Sequence, residues 1–297
     1  MLKRLMLATL LVAAPAFALA QNDKPVATAA SLPAAATAPA APAAPVAPTA
    51  GPQNTIQLVY TVFLGGINLG TVGLKSSFEG ANYAAVSRLK TAGVVNSFYE
   101  SVIDASAVGT VDGNMLRPQK YDSDYNGEKS NQKVSLAYMG GNIQLFSDPP
   151  YNVNRFPVSD EQKQNTLDPL SGIIYNVAGV SITPDKPCGD TVRVFDGRRR
   201  YDVELTFVGK DNISSSDGYS GPAIKCEMRY KQIAGFKQTL TKTTLPTITV
   251  WFATFQTKEQ GPVKSFFVAV KLIAETPYGA AIAHARKITI DGDEKSG

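Results

Sequence analysis

From Thr55 onward the chain alternates: Ile56, Leu58, Tyr60 and Val62 are interleaved with Gln57, Val59 and Thr61, and Gly65-Gly66 leads into a second run from Asn68 to Phe78. Successive side chains on a strand point to opposite faces, so this period of two predicts strands in a sheet. Glu79-Gly80 separates the second run from a third, Tyr83 to Thr91, which stops before Gly93. Turn residues at that spacing predict an antiparallel meander. Val94, Val95, Phe98, Tyr99 and Val102 fit a helical period as well as a strand. Val and Tyr suit a pleated surface, which favours strand.

Val134-Ser135-Leu136-Ala137-Tyr138 alternates again, and Asn126-Gly127 before it reads as a hairpin turn. The pattern then dissolves from Asp148-Pro149-Pro150 through Thr166, a loop long enough in a β domain to predict a lid or a crossing segment. A helix follows, with Asp168 as cap, Pro169 at the first position and Leu170, Ile173, Ile174 and Val177 as one apolar stripe before Gly179. Val192 to Phe207 is two alternating runs around Asp196-Gly197, a hairpin. Further strands are predicted at Lys225 to Tyr230, Thr247 to Phe255, Val263 to Ala274 and Ala281 to Ile290. The expected fold is all-β, a curled antiparallel sheet forming an open barrel or β-spiral with one short helix. It occupies residues 55–290, with a disordered tail at 291–297.

The N-terminal composition is of another kind. Lys3 and Arg4 precede an apolar run ending in Ala18-Leu19-Ala20, which reads as a cleavable signal peptide over residues 1–20. Residues 21–54 are dominated by Ala, Pro, Thr and Val and read as a disordered, semi-rigid tether. No later apolar stretch approaches the ~20 residues of a membrane span. Export to a periplasm is expected, with secretion as the alternative. Cys188 and Cys226 are the only cysteines. In an oxidising compartment they predict a disulfide, worth roughly 3 to 4 kcal/mol on the loop-entropy model.

The formal net charge is +4, and without Lys3 and Arg4 it falls to +2. So small a charge argues against nucleic acid. Arg198-Arg199-Arg200 is a basic run that a strand would split between two faces, so it reads as a solvated hairpin edge rather than an anion or headgroup site. Asp122, Asp124, Asn126 and Gly127 match the first half of a calcium loop, but Lys133 stands where its bidentate glutamate belongs. Calcium at Asp122, Asp124 and Asn126 is therefore a weak alternative to no metal. His284 is the only histidine. It would have to serve any serine triad, and Ser220 in Gly218-Tyr219-Ser220-Gly221 lacks a nucleophile elbow. Nothing else resembles a catalytic or cofactor motif, so neither catalysis nor a cofactor is expected. A hydrolase survives only if Asp196, Asp202 or other carboxylates converge in a cleft.

Several short motifs occur in an order that resembles exported proteins of the domain of unknown function 3108 family. They are Tyr60-x-Val62 with Gly66 and Gly70, Thr91-x-Gly93, Asp168-Pro169-Leu170-Ser171, Phe195-Asp196-Gly197-Arg198-Arg199-Arg200-Tyr201-Asp202-Val203, and Val250-Trp251. The resemblance runs from about Thr55 to Ile290. It implies a curled envelope-associated sheet without an established activity, distantly similar to half-barrels that carry lipoproteins or other apolar ligands. Gly261-Pro262-Val263 followed by Phe266-Phe267 departs from the Leu-Pro-Val step of such sheets. Asp196, Arg199, Tyr201, Trp251 and Phe266 are the candidate ligand or partner surface. The expected function is non-enzymatic: binding an envelope lipid, glycan or protein partner in support of envelope integrity, or carrying an apolar ligand in an interior around Trp251.

Overall fold

The computed structural model describes residues 53–96, 100–216, 218–237, 245–258 and 261–295. The predicted signal peptide and nearly all of the predicted tether lie outside these residues. Seven strands come first: β1 (Gln53–Leu64), β2 (Ile67–Glu79), β3 (Asn82–Thr91), β4 (Ser101–Asp112), β5 (Met115–Gly127), β6 (Ser130–Met139) and β7 (Asn142–Asp148). A crossing stretch then carries the single turn α2 (Asp160–Lys163) and the helix α3 (Pro169–Val177). The remaining strands are β8 (Val192–Phe195), β9 (Arg200–Ile213), β10 (Gly221–Ala234), β11 (Ile248–Gln256), β12 (Ser265–Thr276), β13 (Gly279–Ile290) and β14 (Asp293–Glu294).

All named strands join one antiparallel sheet, ordered β7-β6-β5-β4-β3-β2-β1-β13-β12-β11-β10-β9-β8, with β14 added to β13. Each half is a meander of local hairpins, and β1 against β13 is the long-range join, with Ile56 opposite Ile290. Register shifts at Val59/Tyr60, Val62/Phe63, Val108/Gly109, Lys225/Cys226 and Trp251/Phe252 are bulges. Such bulges bend strands and raise their twist, which curls the sheet on itself. At one of them Gly109 is obligatory, because a Cβ there would overlap the Arg117 carbonyl and the Tyr83 ring.

The curl stops short of closure, since β7 and β8 are not hydrogen-bonded to each other. The seam is filled by side chains. Gly197, at φ +93°, brings the β8–β9 turn to within 3.0 Å of Val134 and 2.9 Å of Leu145 as measured from an added Cβ. Arg200 Nε donates to the Gln162 carbonyl at 3.0 Å, and its Nη1 to Asp202 Oδ1 at 2.6 Å. On the outer side of β8, Leu167 N–H donates to the Arg193 carbonyl and Phe195 N–H to the Leu167 carbonyl, covering that edge. The long loop after Asp148 is thus a crossing segment from one sheet edge to the other.

Three expectations need correction. Gly93–Asn96 forms a single helical turn, α1, where the residue types favour a strand; the strand starts at Ser101, and Phe98 and Tyr99 lie outside the described residues. The β5–β6 turn is Glu128-Lys129, two residues past Asn126-Gly127, because Gly127 still pairs with Ser130. The domain also extends at both ends: Gln53 and Asn54 belong to β1, and the tail is ordered through Lys295. Asp291 holds these ends together, its carboxylate accepting from Thr55 N–H at 2.7 Å and Asn54 Nδ2 at 3.4 Å.

Candidate functional site

Helix α3 lies across the inside of the curl. Its Ser171 hydroxyl meets the Tyr83 hydroxyl of β3 at 2.7 Å, and Gly172 leaves room for Val192 and Val194 of β8. Beyond its C-terminus, Gly179 faces Phe267 of β12. On one side of the helix the core is packed solid by Ile56, Leu58, Phe78, Leu136, Ile174 and Ile290. On the other side the sheet stands away from the helix, leaving a cavity of about 300 Å³. That lies at the small end of the ~300–1,000 Å³ typical of ligand pockets.

Most strands place one to three residues on this cavity. Val72, Leu89 and Ile103 line one side; Val203, Leu205 and Met228 another; Val250, Phe252, Ala269 and Leu272 a third; Ile173, Asn176 and Val177 come from α3. Leu89, Ile103, Ile173, Leu205, Met228 and Leu272 are only partly buried, which marks the open mouth. The mouth lies at the sheet end where β1 finishes and β2 begins, and the solid core at the opposite end. A larger hollow of about 710 Å³ on the outer face of β1 to β7 is a shallow saddle. Of the charges there, Arg88 pairs with Asp104 at 2.7 Å and Lys133 with Asp124 at 3.7 Å.

Beneath the cavity floor lies a buried hydroxyl and carboxyl network. Asp168 is fully buried and caps α3, its Oδ1 accepting from Leu170 N–H at 3.0 Å and Ser171 N–H at 2.8 Å. Its Oδ2 accepts from the Ser171 hydroxyl at 2.5 Å. Burial pushes its carboxyl up to about 6, against the hydrogen bonds from Ser171 and Leu170 that favour the anion. Burial also raises Asp196, whose Oδ1 accepts from Arg198 and Arg199 N–H in the hairpin turn. Tyr60, Tyr121 and Tyr151, which face the cavity, have their phenols pushed up by burial.

The Asp168 arrangement has a pH consequence. Its folded value lies above its ordinary one, so the folded state binds the extra proton between pH ~4 and ~6, and stability falls as pH rises through that window. The span of about two units is worth about 3 kcal/mol. Asn at this position keeps the cap and imitates the neutral acid. Asp168→Asn is therefore expected to match the wild type near pH 4 in urea unfolding and to exceed it by up to about 3 kcal/mol at pH 8. A gap of equal size at both pH values would refute this account.

The candidate residues read from sequence are scattered. Asp196, Arg199 and Tyr201 meet at the seam, but Tyr201 is fully buried and stacked on Tyr230 at 4.4 Å, and the Arg199 guanidinium lies over the Phe236 ring. Arg200 is buried in its ion pair rather than solvated at a hairpin edge. Trp251 is on the outer face: its indole N–H donates to Asp211 Oδ2 at 2.7 Å, and Lys225 and Lys271 flank its ring. It does not line the cavity, so the interior expected around Trp251 is displaced to the far face of β11. Phe266 is fully buried against Phe78 and offers no surface. Cys188 and Cys226 are bonded to each other.

Asp122, Asp124 and Asn126 share the outward face of β5, where Asp122 pairs with Lys120 and Asp124 with Lys133. Among the described residues no three His, Cys, Asp or Glu side chains group as a metal site. Ser220 Oγ accepts from Ser215 N–H and donates to its carbonyl, fixing a turn, while His284 packs edge-on against Phe63 on β1. The cavity residues were not foreseen. The signal that could have found some of them is Asn176, a polar side chain close to the apolar stripe of α3.

Among the described residues no helix is long and apolar enough to cross a membrane. No curated protein matches the chain. The structure is similar to a β-barrel-like protein of domain of unknown function DUF1849 from Brucella abortus, with a TM-score of 0.47 and 10% identity over 82% of this chain and 99% of that one. MucB, in a complex with MucA(peri), matches with a TM-score of 0.10 and 10% identity over 78% of this chain and 88% of that one. The sequence pattern described as "Protein of unknown function (DUF3108)" matches residues 59–286. A match across that much of the sheet makes the chain a member of the DUF3108 family.

Proposed function

We propose that the protein is a non-enzymatic binding protein of the cell envelope that takes an apolar ligand into the cavity between α3 and the curled sheet. The observation that carries this reading is the cavity itself, walled by Val72, Leu89, Ile103, Val250 and Leu272 and open at one end. Emptying so much apolar surface without use would forfeit packing that a fold of this size otherwise keeps. The disulfide supports an oxidising compartment, where it persists. A freely accessible concave face for a protein partner is disfavoured, because α3 already occupies it.

The test is titration of delipidated protein with the neutral fluorophore N-phenylnaphthylamine. Saturable one-to-one binding is expected. Ala105→Phe and, separately, Ala269→Leu fill the cavity from opposite walls and are expected to weaken it at least ten-fold with little change in melting temperature. Absence of saturable binding, or full binding in both stably folded variants, would overturn the reading.

A further inference from the structure

We infer that the ligand is a neutral amphiphile, a chain ending in a hydroxyl or similar uncharged group, and not a fatty acid or other anion. This rests on the cavity being a ligand site. Among the described residues that line it there is no carboxylate, amine, guanidinium or imidazole. Its polar side chains are hydroxyls and amides; five of them share the wall made by β3, β5 and β6, while Tyr60, Tyr151, Asn176 and Tyr230 are placed singly on other elements. Ser123, Tyr121 and Tyr125 follow one another on the inner face of β5, with Ser87 of β3 and Gln132 of β6 beside them. The facing wall, from β11 to β13, is Val250, Phe252, Ala269, Leu272 and Ala283.

A ligand that matches both walls has an apolar body and a group that exchanges hydrogen bonds without carrying charge. An ionised head would leave water with no counter-ion waiting, which costs far more than a hydroxyl meeting a hydroxyl. Anions meet a second obstacle. Behind the tyrosine wall stand the buried carboxyls of Asp168 and Asp196, close enough to act electrostatically on Tyr121, and Asp196 also on Tyr151 and Tyr230. Negative charge entering the cavity faces negative charge under its floor. Arg198 and Arg199 offset Asp196 in part, but neither they nor Lys90, Lys225 and Lys271, which lie on the outer faces of their strands, are among the lining residues.

The experiment uses the wild-type protein and three ligands of one chain length, 1-decanol, decanoate and decylammonium, competing with N-phenylnaphthylamine at pH 8. Decanol is expected to displace the probe at a concentration at least ten-fold below that of either ion. Repeated at pH 4, where much of the decanoate becomes the neutral acid, its displacement should approach that of decanol while decylammonium stays weak. Decanoate equal to or better than decanol at pH 8 would overturn the inference and leave the cavity a ligand site. Probe binding that no decyl compound competes for would overturn it too. If the probe itself does not bind, the failure belongs to the proposed function.

Discussion

Replacing both cysteines by alanine is expected to lower the unfolding free energy by about 4 kcal/mol, the loop-entropy value for a bond spanning 38 residues. For a domain of this size that is a fall of roughly 8–16 °C in melting temperature. Both sulfurs are buried among Ile248, Val250, Phe252 and Phe267. A thiolate reagent therefore reaches the bond only when the fold opens. Reductant added to the native protein should act slowly, while reductant present through an unfolding and refolding cycle should reproduce the double variant. Cys188 ends the stretch that follows α3, and Cys226 sits on β10, so the bond also ties the helix to the far half of the sheet. An unchanged melting temperature in the double variant would show that packing alone holds this stretch.

Phe266→Ala is expected to cost about 3–5 kcal/mol, the range for deleting a fully buried aromatic ring. The ring is wholly inaccessible and lies 5.8 Å from that of Phe78, in the solid half of the interior. Val263, two residues before β12, is held in place by its N–H donating to Asn54 Oδ1 at 3.0 Å. Because Phe266 does not line the cavity, probe affinity should persist in whatever fraction stays folded. A loss below 1 kcal/mol in urea unfolding, or abolished binding in a folded variant, would count against this division of the interior into packed core and cavity.

Much of the architecture was legible in the sequence for local reasons. The strands from Ile56 to Thr91 alternate cleanly because one face packs and one is wet, and α3 carries its own stop and start in Asp168, Pro169 and Gly179. Which face was inside was not legible where the alternation breaks. The bulge opposite Trp251/Phe252 inserts Val270 on β12, so the alternation of that strand changes face there. Phe266 and Phe267 are adjacent, point to opposite faces and are both buried, because β12 has packing on each side there. The cavity was least legible of all. Its lining comes as one to three residues from strands far apart in sequence, and only the curl assembles them.

The clasp of Asp291 on Asn54 and Thr55 puts both ends of the folded unit at one pole. The mouth of the cavity is at the other, the length of β1 away, which at ~3.3 Å per residue is about 35 Å. Whatever is joined through residues 1–52 or beyond Lys295 therefore grips the sealed base. The opening is thus directed away from both points of attachment, like the rim of a cup held by its foot.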